Sequence, residues 1–342
     1  MSPRRFTAAS VAMSLAIVPT TDCTPFTDDG PPSPGAGVAS MTVVDAAGIR
    51  GADAAPDAAA SASLCDLEAP FGAATFVPGL TIDAATAVGG LRLTPDLLTG
   101  YLYVNRPSTD SRLEDLYTTT RPSEDTPFSE LTLIEGAGIN TSTAELDPTV
   151  SGDGQWLVFA RVISGQGGLF YATRVTGRGA FVYGGALPGT SVGHADETPF
   201  LREDRQVLYY ASSPVGGVRH IVRAERMDAG IEPPVPVPEL DSSFDDKCPV
   251  VTPDELTIFF RSTRTDGGAR GSGDIWTASR SSTGLPFSSL QNVSELNSPN
   301  DEWPTFVSRD GCTLYFTTRV VDETHPYGIS SQYVARRPAR QL

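Results

Sequence analysis

The sequence predicts an all-β fold, a five-bladed β-propeller with four antiparallel strands in each blade. A motif of about 50 residues recurs five times from near Pro70 onward, and each copy holds short runs of alternating aromatic and β-branched residues. Repeats of this length with four strands each are typical of propeller blades. The cleanest marker is a small residue, any residue, then arginine, with the arginines 52 to 57 residues apart: Arg121, Arg174, Arg226, Arg280 and Arg337.

A Ser/Thr-x-Asp turn precedes the second strand of each blade, as in the strands "WLVFAR", "VLYYAS" and "LTIFFRS". Glycine pairs such as Gly167-Gly168 then mark a hairpin, where glycine supplies the positive φ angles. The third strand carries the arginine, and a last run often opens with phenylalanine. The turn aspartates are Asp96, Asp153, Asp254 and Asp310, with a weaker copy at Asp204, where Arg202 replaces the hydroxyl residue.

The phase of the repeat predicts how the ring closes. The last copy stops after its arginine strand, whereas an outer-type strand, "FGAATFVPGL", stands alone at residues 71–80 ahead of the first copy. We predict that this N-terminal strand completes the last blade. The ring then closes by pairing between chain ends and leaves no open sheet edge at the seam.

The string "DEWPTFVSRDGCTLYFTTR", followed by "YVARRP", resembles the TolB-type, WD-repeat-like propeller repeats of secreted or envelope bacterial proteins. The resemblance covers roughly residues 66–342 and implies the propeller fold, while it is unspecific for activity. Kelch repeats fit less well because their spaced tyrosine and tryptophan are not apparent. Sialidase repeats fit less well because they place glycine two residues after the aspartate, whereas Asp153-Gly154 and Asp310-Gly311 are adjacent.

The N-terminus predicts export. Residues 1–22 combine "MSPRR" with a short apolar stretch and read as a signal peptide, residues 23–64 as a disordered Ala/Gly/Pro/Ser/Asp-rich tether, and residues 65–342 as the propeller. No later stretch is long and apolar enough to span a membrane. Cys23 is a candidate for lipidation, although Asp22 departs from a lipobox, so ordinary cleavage stays open. The expected location is the periplasm, the outer membrane or the extracellular space.

Composition excludes several classes of function. With 25 basic and 41 acidic residues the chain carries −16, which repels nucleic acid. The three histidines fall at different phases of the repeat, and neither a D-x-D-x-D-G calcium loop nor a G-x-S-x-G elbow is present. We therefore expect no cofactor, no metal and no serine-hydrolase triad, and we expect a monomer.

Cysteine pairing follows from the predicted topology. Cys312 opens the second strand of the last blade and Cys65 precedes the closing strand, so both are expected at one end of that blade, with Cys248 at the other. Export permits a Cys65 to Cys312 disulfide that staples the ring shut. The alternative is three buried reduced thiols.

Repeated acids three residues before a proline are the best binding candidates: Glu145, Asp196, Asp246 and Asp301. Inner strands of propellers begin beside the central channel, so these carboxylates are candidates for a ring that binds cations or basic groups. The competing interpretation is structural, because such a carboxylate also accepts local backbone N–H bonds and orders the loop before its strand. Recurrence in nearly every blade favours the structural role.

Two functions remain from the sequence. The favoured one is a non-enzymatic binding or scaffold protein that uses a propeller face to bind a protein, peptide or glycan at the cell envelope. The alternative is a glycoside hydrolase or lyase with carboxylates in the channel. It requires two non-repeated acids facing each other across the channel, one with a raised pKa, and a plugged channel argues against it.

Overall fold

The computed structural model describes residues 65–80, 87–107, 112–190, 194–214, 216–227, 230–323 and 328–340. These residues form five small antiparallel sheets arranged in a ring, a five-bladed β-propeller. The predicted signal peptide and tether, residues 1–22 and 23–64, lie outside them, and so does the lipidation candidate Cys23. Within the described ranges, the helical content is one 3₁₀ turn, Pro238–Leu240. None of the described residues belongs to a helix that could cross a membrane.

The strands are numbered along the chain, and β1 is Thr75–Phe76. The first blade contains β2 to β5: Ala87–Leu93, Thr99–Pro107, Arg112–Thr120 and Thr132–Leu133. The second contains β6 to β9: Ala144–Val150, Trp156–Ile163, Gln166–Thr173 and Val182–Ala186. The third contains β10 to β14: His194–Leu201, Val207–Pro214, His220–Met227, Gly230–Ile231 and Val235–Pro236. The fourth contains β15 to β18: Asp246–Val251, Thr257–Ser262, Asp274–Ser279 and Ser288–Asn292. The fifth adds β19 to β21: Asp301–Val307, Thr313–Val320 and Ile329–Arg336.

The N-terminal strand closes the ring, as the repeat phase predicts. Strand β1 pairs antiparallel with β21, Thr75 opposite Val334 and Phe76 opposite Tyr333, and so supplies the fourth strand of the last sheet. A disulfide joins Cys65 to Cys312 beside this seam, with Cα atoms 5.7 Å apart. The cross-link spans 247 residues of sequence and therefore restricts the unfolded chain strongly.

Four of the repeated arginines stack on the phenylalanine that precedes the outer strand of their blade, whereas Arg226 stacks on Trp156 of the preceding blade. The Arg174 guanidinium stacks on Phe181, 4.2 Å from the ring centroid, and its Nη2 donates to the Tyr101 hydroxyl of the preceding blade at 2.7 Å. Arg121 stacks on Phe128 in the same way and donates to the Tyr315 hydroxyl at 3.1 Å. The arginine register is therefore a structural signature of the blade rather than a site.

The repeated aspartates order the turn between the first and second strands of each blade. Asp153 Oδ1 accepts from the Ser151 hydroxyl at 2.6 Å and from the Gln155 N–H at 3.0 Å. The side of the ring formed by these turns is called the Asp-turn face below. In the third blade, Arg202 replaces the hydroxyl residue. It pairs with Asp204 of the same turn and with Glu255 of the fourth blade. The weaker copy of the turn thus carries a blade-to-blade ion pair.

Candidate functional site at the propeller axis

The acids predicted to border the channel are mostly engaged by their own loops. Glu145 is fully buried and accepts from the Thr141 N–H at 3.0 Å and from Arg161 Nε at 2.8 Å. Asp246 is likewise buried and accepts from the Ser242 N–H at 2.8 Å and from Arg264 Nη2 at 2.9 Å. Asp196 is also buried. The contacts of Glu145 and Asp246 are those of loop-ordering residues.

In the last blade, the acid that orders the loop lies one residue after the predicted one. Glu302, which is fully buried, accepts from the Ser298 N–H at 3.1 Å and so occupies the position that Glu145 has in the second blade. Asp301 pairs instead with Arg261, Nε to Oδ1 at 2.6 Å. The bulge in β19 lies between Pro304 and Phe306. Pro304 lies one residue earlier relative to the bulge than the equivalent prolines of the second and fourth blades do. The spacing of three residues from acid to proline therefore selects Asp301 rather than Glu302.

A bulge at the same level of every inner strand supplies the residues nearest the axis. Four bulge residues have positive φ: Gly90 (65°), Asp147 (49°), Thr198 (52°) and Cys248 (54°). Glycine is required at position 90 because a Cβ there would lie 3.0 Å from both Asp147 Oδ1 and the Tyr103 ring. The first blade thus lets Tyr103 and Asp147 approach each other.

Arg92 closes the channel. It is 5 % exposed, and from the inner strand of the first blade its Nη1 donates to the Thr305 carbonyl oxygen of the fifth blade. Its Nη2 donates to the Pro199 carbonyl oxygen of the third blade at 3.3 Å, and the guanidinium lies over the Phe200 ring. One side chain therefore bridges three inner strands across the axis and divides the channel into two ends.

Towards the Asp-turn face, the channel continues as a cavity of about 40 Å³ with Arg92 at its base. Its wall includes the last residue of each inner strand, and all five are aliphatic: Leu93, Val150, Leu201, Val251 and Val307. We call this cavity the axial funnel. Arg309 lies at its mouth and donates from Nε to both carboxylate oxygens of Glu203, at 3.0 and 2.9 Å. This exposed ion pair joins the fifth and third blades.

A wider groove of about 940 Å³ adjoins the funnel on the same face, and the two share Pro95, Glu203 and Arg309. Charges of both signs line it: Asp96, Asp153, Asp204, Arg174 and Arg178. Tyr101 is the aromatic side chain in its lining, and Arg174 holds its hydroxyl. We call this surface the Asp-turn groove.

Beyond Arg92, towards the inner-strand starts, the axis holds ionisable groups that disfavour charge. Burial raises the pKa of the Asp147 carboxyl, although Arg92 and Lys247 oppose that shift. Burial also raises the pKa of the Cys248 thiol to about 12 and lowers the pKa of the Arg92 guanidinium to about 10. Groups from the first, second and fourth blades therefore meet in a poorly solvated region.

Sequence reasoning missed Arg92, Asp147 and the funnel. A signal was present, because the first copy has Val88 and Leu91 where the other copies have an acid and a proline, and Arg92 follows them. End repeats are commonly irregular, so such departures do not by themselves indicate a site. Only the folded ring, in which the five inner strands converge, brings Arg92 and Asp147 to the axis.

Comparison with known proteins supports the fold. No protein-family model matches this chain, and no curated protein matches its sequence. A solved structure described as a glycoside hydrolase aligns with 80 % of this chain and 94 % of its own, at 10 % identity and a TM-score of 0.53. A protein assigned as TolB from Agrobacterium tumefaciens aligns with 74 % of this chain and 91 % of its own, at 15 % identity and a TM-score of 0.44.

A family 117 glycoside hydrolase from Zobellia galactanivorans aligns with 80 % of this chain and 91 % of its own, at 14 % identity and a TM-score of 0.49. At 10 % identity, the structure that aligns with a TM-score of 0.53 indicates a shared fold alone. Function therefore has to be argued from the site.

Proposed function

We propose that this protein is an exported, monomeric, non-enzymatic binding module at the cell envelope, and that its Asp-turn groove takes an extended peptide segment of a protein partner. The observation that carries the proposal is the groove of about 940 Å³ that runs into the axial funnel on one face. A concave surface joined to an apolar pocket with few polar groups is the usual form of a binding site.

Lining chemistry favours a peptide over a glycan. Sugar rings are commonly held by flat, exposed aromatic platforms, whereas Tyr101 is 3 % exposed. Charges of both signs, such as Asp153 and Arg178, suit a peptide with side chains of both signs. The mixed charges on this face thus match a polar, zwitterionic segment better than a neutral polysaccharide.

The hydrolase alternative has one supporting observation, the raised pKa of Asp147 at the axis. A glycosidase needs a second carboxylate across the scissile bond. The equivalent bulge positions in the other blades hold Gly90, Thr198, Cys248 and Pro304. Arg92 also closes the channel beneath Asp147. Binding therefore fits the axis better than hydrolysis.

Peptide selection tests the proposal. A random-peptide phage library is selected on the purified protein, and selected peptides are synthesised and titrated by calorimetry. We expect Arg178→Glu, a charge reversal in the groove, to weaken binding by about tenfold or more, equivalent to ~1.4 kcal/mol. Arg336→Glu, an exposed arginine outside the groove, is the matched control and leaves affinity unchanged.

Peptides whose affinity ignores Arg178→Glu would place binding elsewhere on the ring. A parallel screen with chromogenic glycosides tests the alternative. Hydrolysis that disappears in Asp147→Asn would overturn the binding interpretation in favour of the hydrolase.

A further inference from the structure

The axial funnel combines aliphatic wall residues with two arginines: Arg202, which pairs with Asp204 and Glu255, and the buried Arg92. Equivalent positions to Arg92 in the other blades are Thr149, Phe200, Val250 and Phe306, so Arg92 is no part of the blade pattern. A feature that the repeat does not require needs an explanation of its own. The funnel wall excludes water from the cation except through the mouth.

Arg92 has no hydrogen-bonded carboxylate among the described residues. Its Nη1 and Nη2 donate to two backbone carbonyl oxygens, of Thr305 and Pro199, which are neutral. Among the described residues its Nε has no hydrogen-bond partner, and neither does the hydroxyl of Thr305. Buried polar groups are nearly always hydrogen-bonded, and buried charges are nearly always paired. Asp147 is the neighbouring acid, and burial holds its pKa above its ordinary value.

The size of the cavity limits what can supply that carboxylate. A volume of about 40 Å³ corresponds to about three water molecules, since one occupies ~10–15 Å³ on the same measure. A carboxylate on a chain of two to four carbons places its oxygens at the base and its methylenes against Leu93, Val150 and the other wall residues. Longer chains reach the mouth and the groove.

We propose that the axial funnel binds a carboxylate carried on a short aliphatic chain, with Arg92 receiving the carboxylate. This site goes beyond the peptide groove and stands whether or not that groove binds a peptide. Two sources have the required chemistry, a free short alkanoate and the C-terminal aliphatic residue of a peptide.

Entry requires the ion pair at the mouth to move. Arg309 is 64 % and Glu203 26 % exposed in their side chains, and exposed ion pairs of this kind contribute little to stability. Opening the mouth therefore costs little. Arg309→Ala is expected to preserve or speed alkanoate binding.

Methyl NMR of the full-length protein, labelled at leucine and valine methyls, tests the proposal directly. Acetate, propionate and butyrate are titrated, with 1-butanol and butylamine as matched uncharged and cationic controls. We expect saturable chemical-shift changes in the methyls of Leu93, Val150, Leu201, Val251 and Val307. Affinity is expected to rise about three- to fourfold for each added methylene, and both controls are expected to leave these methyls unchanged.

Variants separate the base of the funnel from its wall. Arg92→Met is expected to abolish the butyrate-dependent changes while the methyl spectrum stays dispersed. If Arg92→Met does not fold, Val150→Phe decides, because it fills the funnel and leaves Arg92 in place. Equal binding of butylamine, changes confined to methyls outside the funnel, or unchanged butyrate affinity in Val150→Phe would each overturn the proposal.

The same spectra identify the source of the carboxylate. N-acetyl-Gly-Val with a free C-terminus is compared with its C-terminal amide and with butyrate. Tighter funnel binding of the free-acid peptide than of butyrate would assign the site to a peptide terminus, and the reverse result to a free alkanoate. Funnel binding without any peptide binding in the groove would refute the proposed peptide function and leave this inference intact.

Discussion

The arginines around Glu255 and the arginine at the axis differ in how their charge is met. At the junction of the third and fourth blades, Arg202, Arg223 and Arg280 all contact Glu255, which is 1 % exposed. At the axis, Arg92 donates to neutral carbonyl groups. The Glu255 cluster is internally satisfied and builds the ring, whereas Arg92 has Asp147 as a neighbouring acid but no hydrogen-bonded carboxylate among the described residues.

The pKa values of the acids beside these arginines, Glu255 and Asp147, shift in opposite directions. Burial would raise the pKa of Glu255, but hydrogen bonds from Arg223 and Tyr209 outweigh it and lower the pKa. At Asp147 burial prevails, and the pKa stays raised despite Arg92 and Lys247. Hydrogen bonds to the charged form therefore decide which carboxylate ionises readily.

Removing the central carboxylate of the cluster should have the largest effect. Glu255→Gln leaves three arginines around a neutral amide, and we expect a loss of about 3–5 kcal/mol in the free energy of unfolding. Chemical denaturation measures it, with Glu225→Gln, whose side chain is 62 % exposed, as the matched control within about 0.5 kcal/mol. Equal losses in both variants would remove the contrast with the axis.

Arg92→Met should cost less, about 1–2 kcal/mol. The variant loses two hydrogen bonds to carbonyl groups, but it also removes a buried charge that has no hydrogen-bonded carboxylate. The same denaturation measurement applies. A loss as large as that of Glu255→Gln would show that Arg92 is a structural residue like those of the cluster, and so would break the comparison.

The effect of Asp147→Asn on the free energy of unfolding should depend on pH. Because the folded pKa lies above the reference value of 3.8, the native carboxyl holds its proton more tightly than the unfolded one. The contribution of Asp147 to stability is therefore fully present below pH 3.8 and is lost as pH rises through the folded pKa. We expect Asp147→Asn to gain stability relative to the wild type over that rise, as measured by chemical denaturation in a pH series. A gain that shrinks as pH rises would contradict the raised pKa.

The smallest effect is expected at the mouth of the funnel. Glu203→Gln breaks the exposed pair with Arg309 and should change the free energy of unfolding by less than about 1 kcal/mol. Thermal melting at low and high salt measures it, and the difference between variants should shrink at high salt. A loss above about 2 kcal/mol would make the pair part of the ring's framework.

Most of the fold could be predicted from the repeated residues. The spacing of Arg121, Arg174 and their equivalents indicates the number of blades, and the lone strand at residues 71–80 indicates the closure, because both follow from a periodic pattern. The axis does not repeat. Arg92, Pro199 and Thr305 lie more than 100 residues apart in sequence, and only the closed ring brings them together.

The acid register shows a second limit of the pattern. Spacing to proline identifies Glu145 and Asp246 correctly as a matched pair, since both accept from an N–H four residues earlier. In the last blade the bulge shifts relative to Pro304, so Glu302 rather than Asp301 makes that bond. A local bulge changes which side of the strand a residue faces, and the spacing of residues in the sequence does not reveal where the bulge lies.

Closure at the Cys65 to Cys312 seam also fixes where the polypeptide enters and leaves the ring. Cys65 pairs with Ala339, and Cys312 follows the Asp310 turn, so Cys65 and Ala339 both lie on the Asp-turn face. A linker fused directly to either residue would lie on that face. A circular permutant reopened at Ser164 and Gly165, in the hairpin between β7 and β8 on the opposite side, would present the funnel freely to an assay surface.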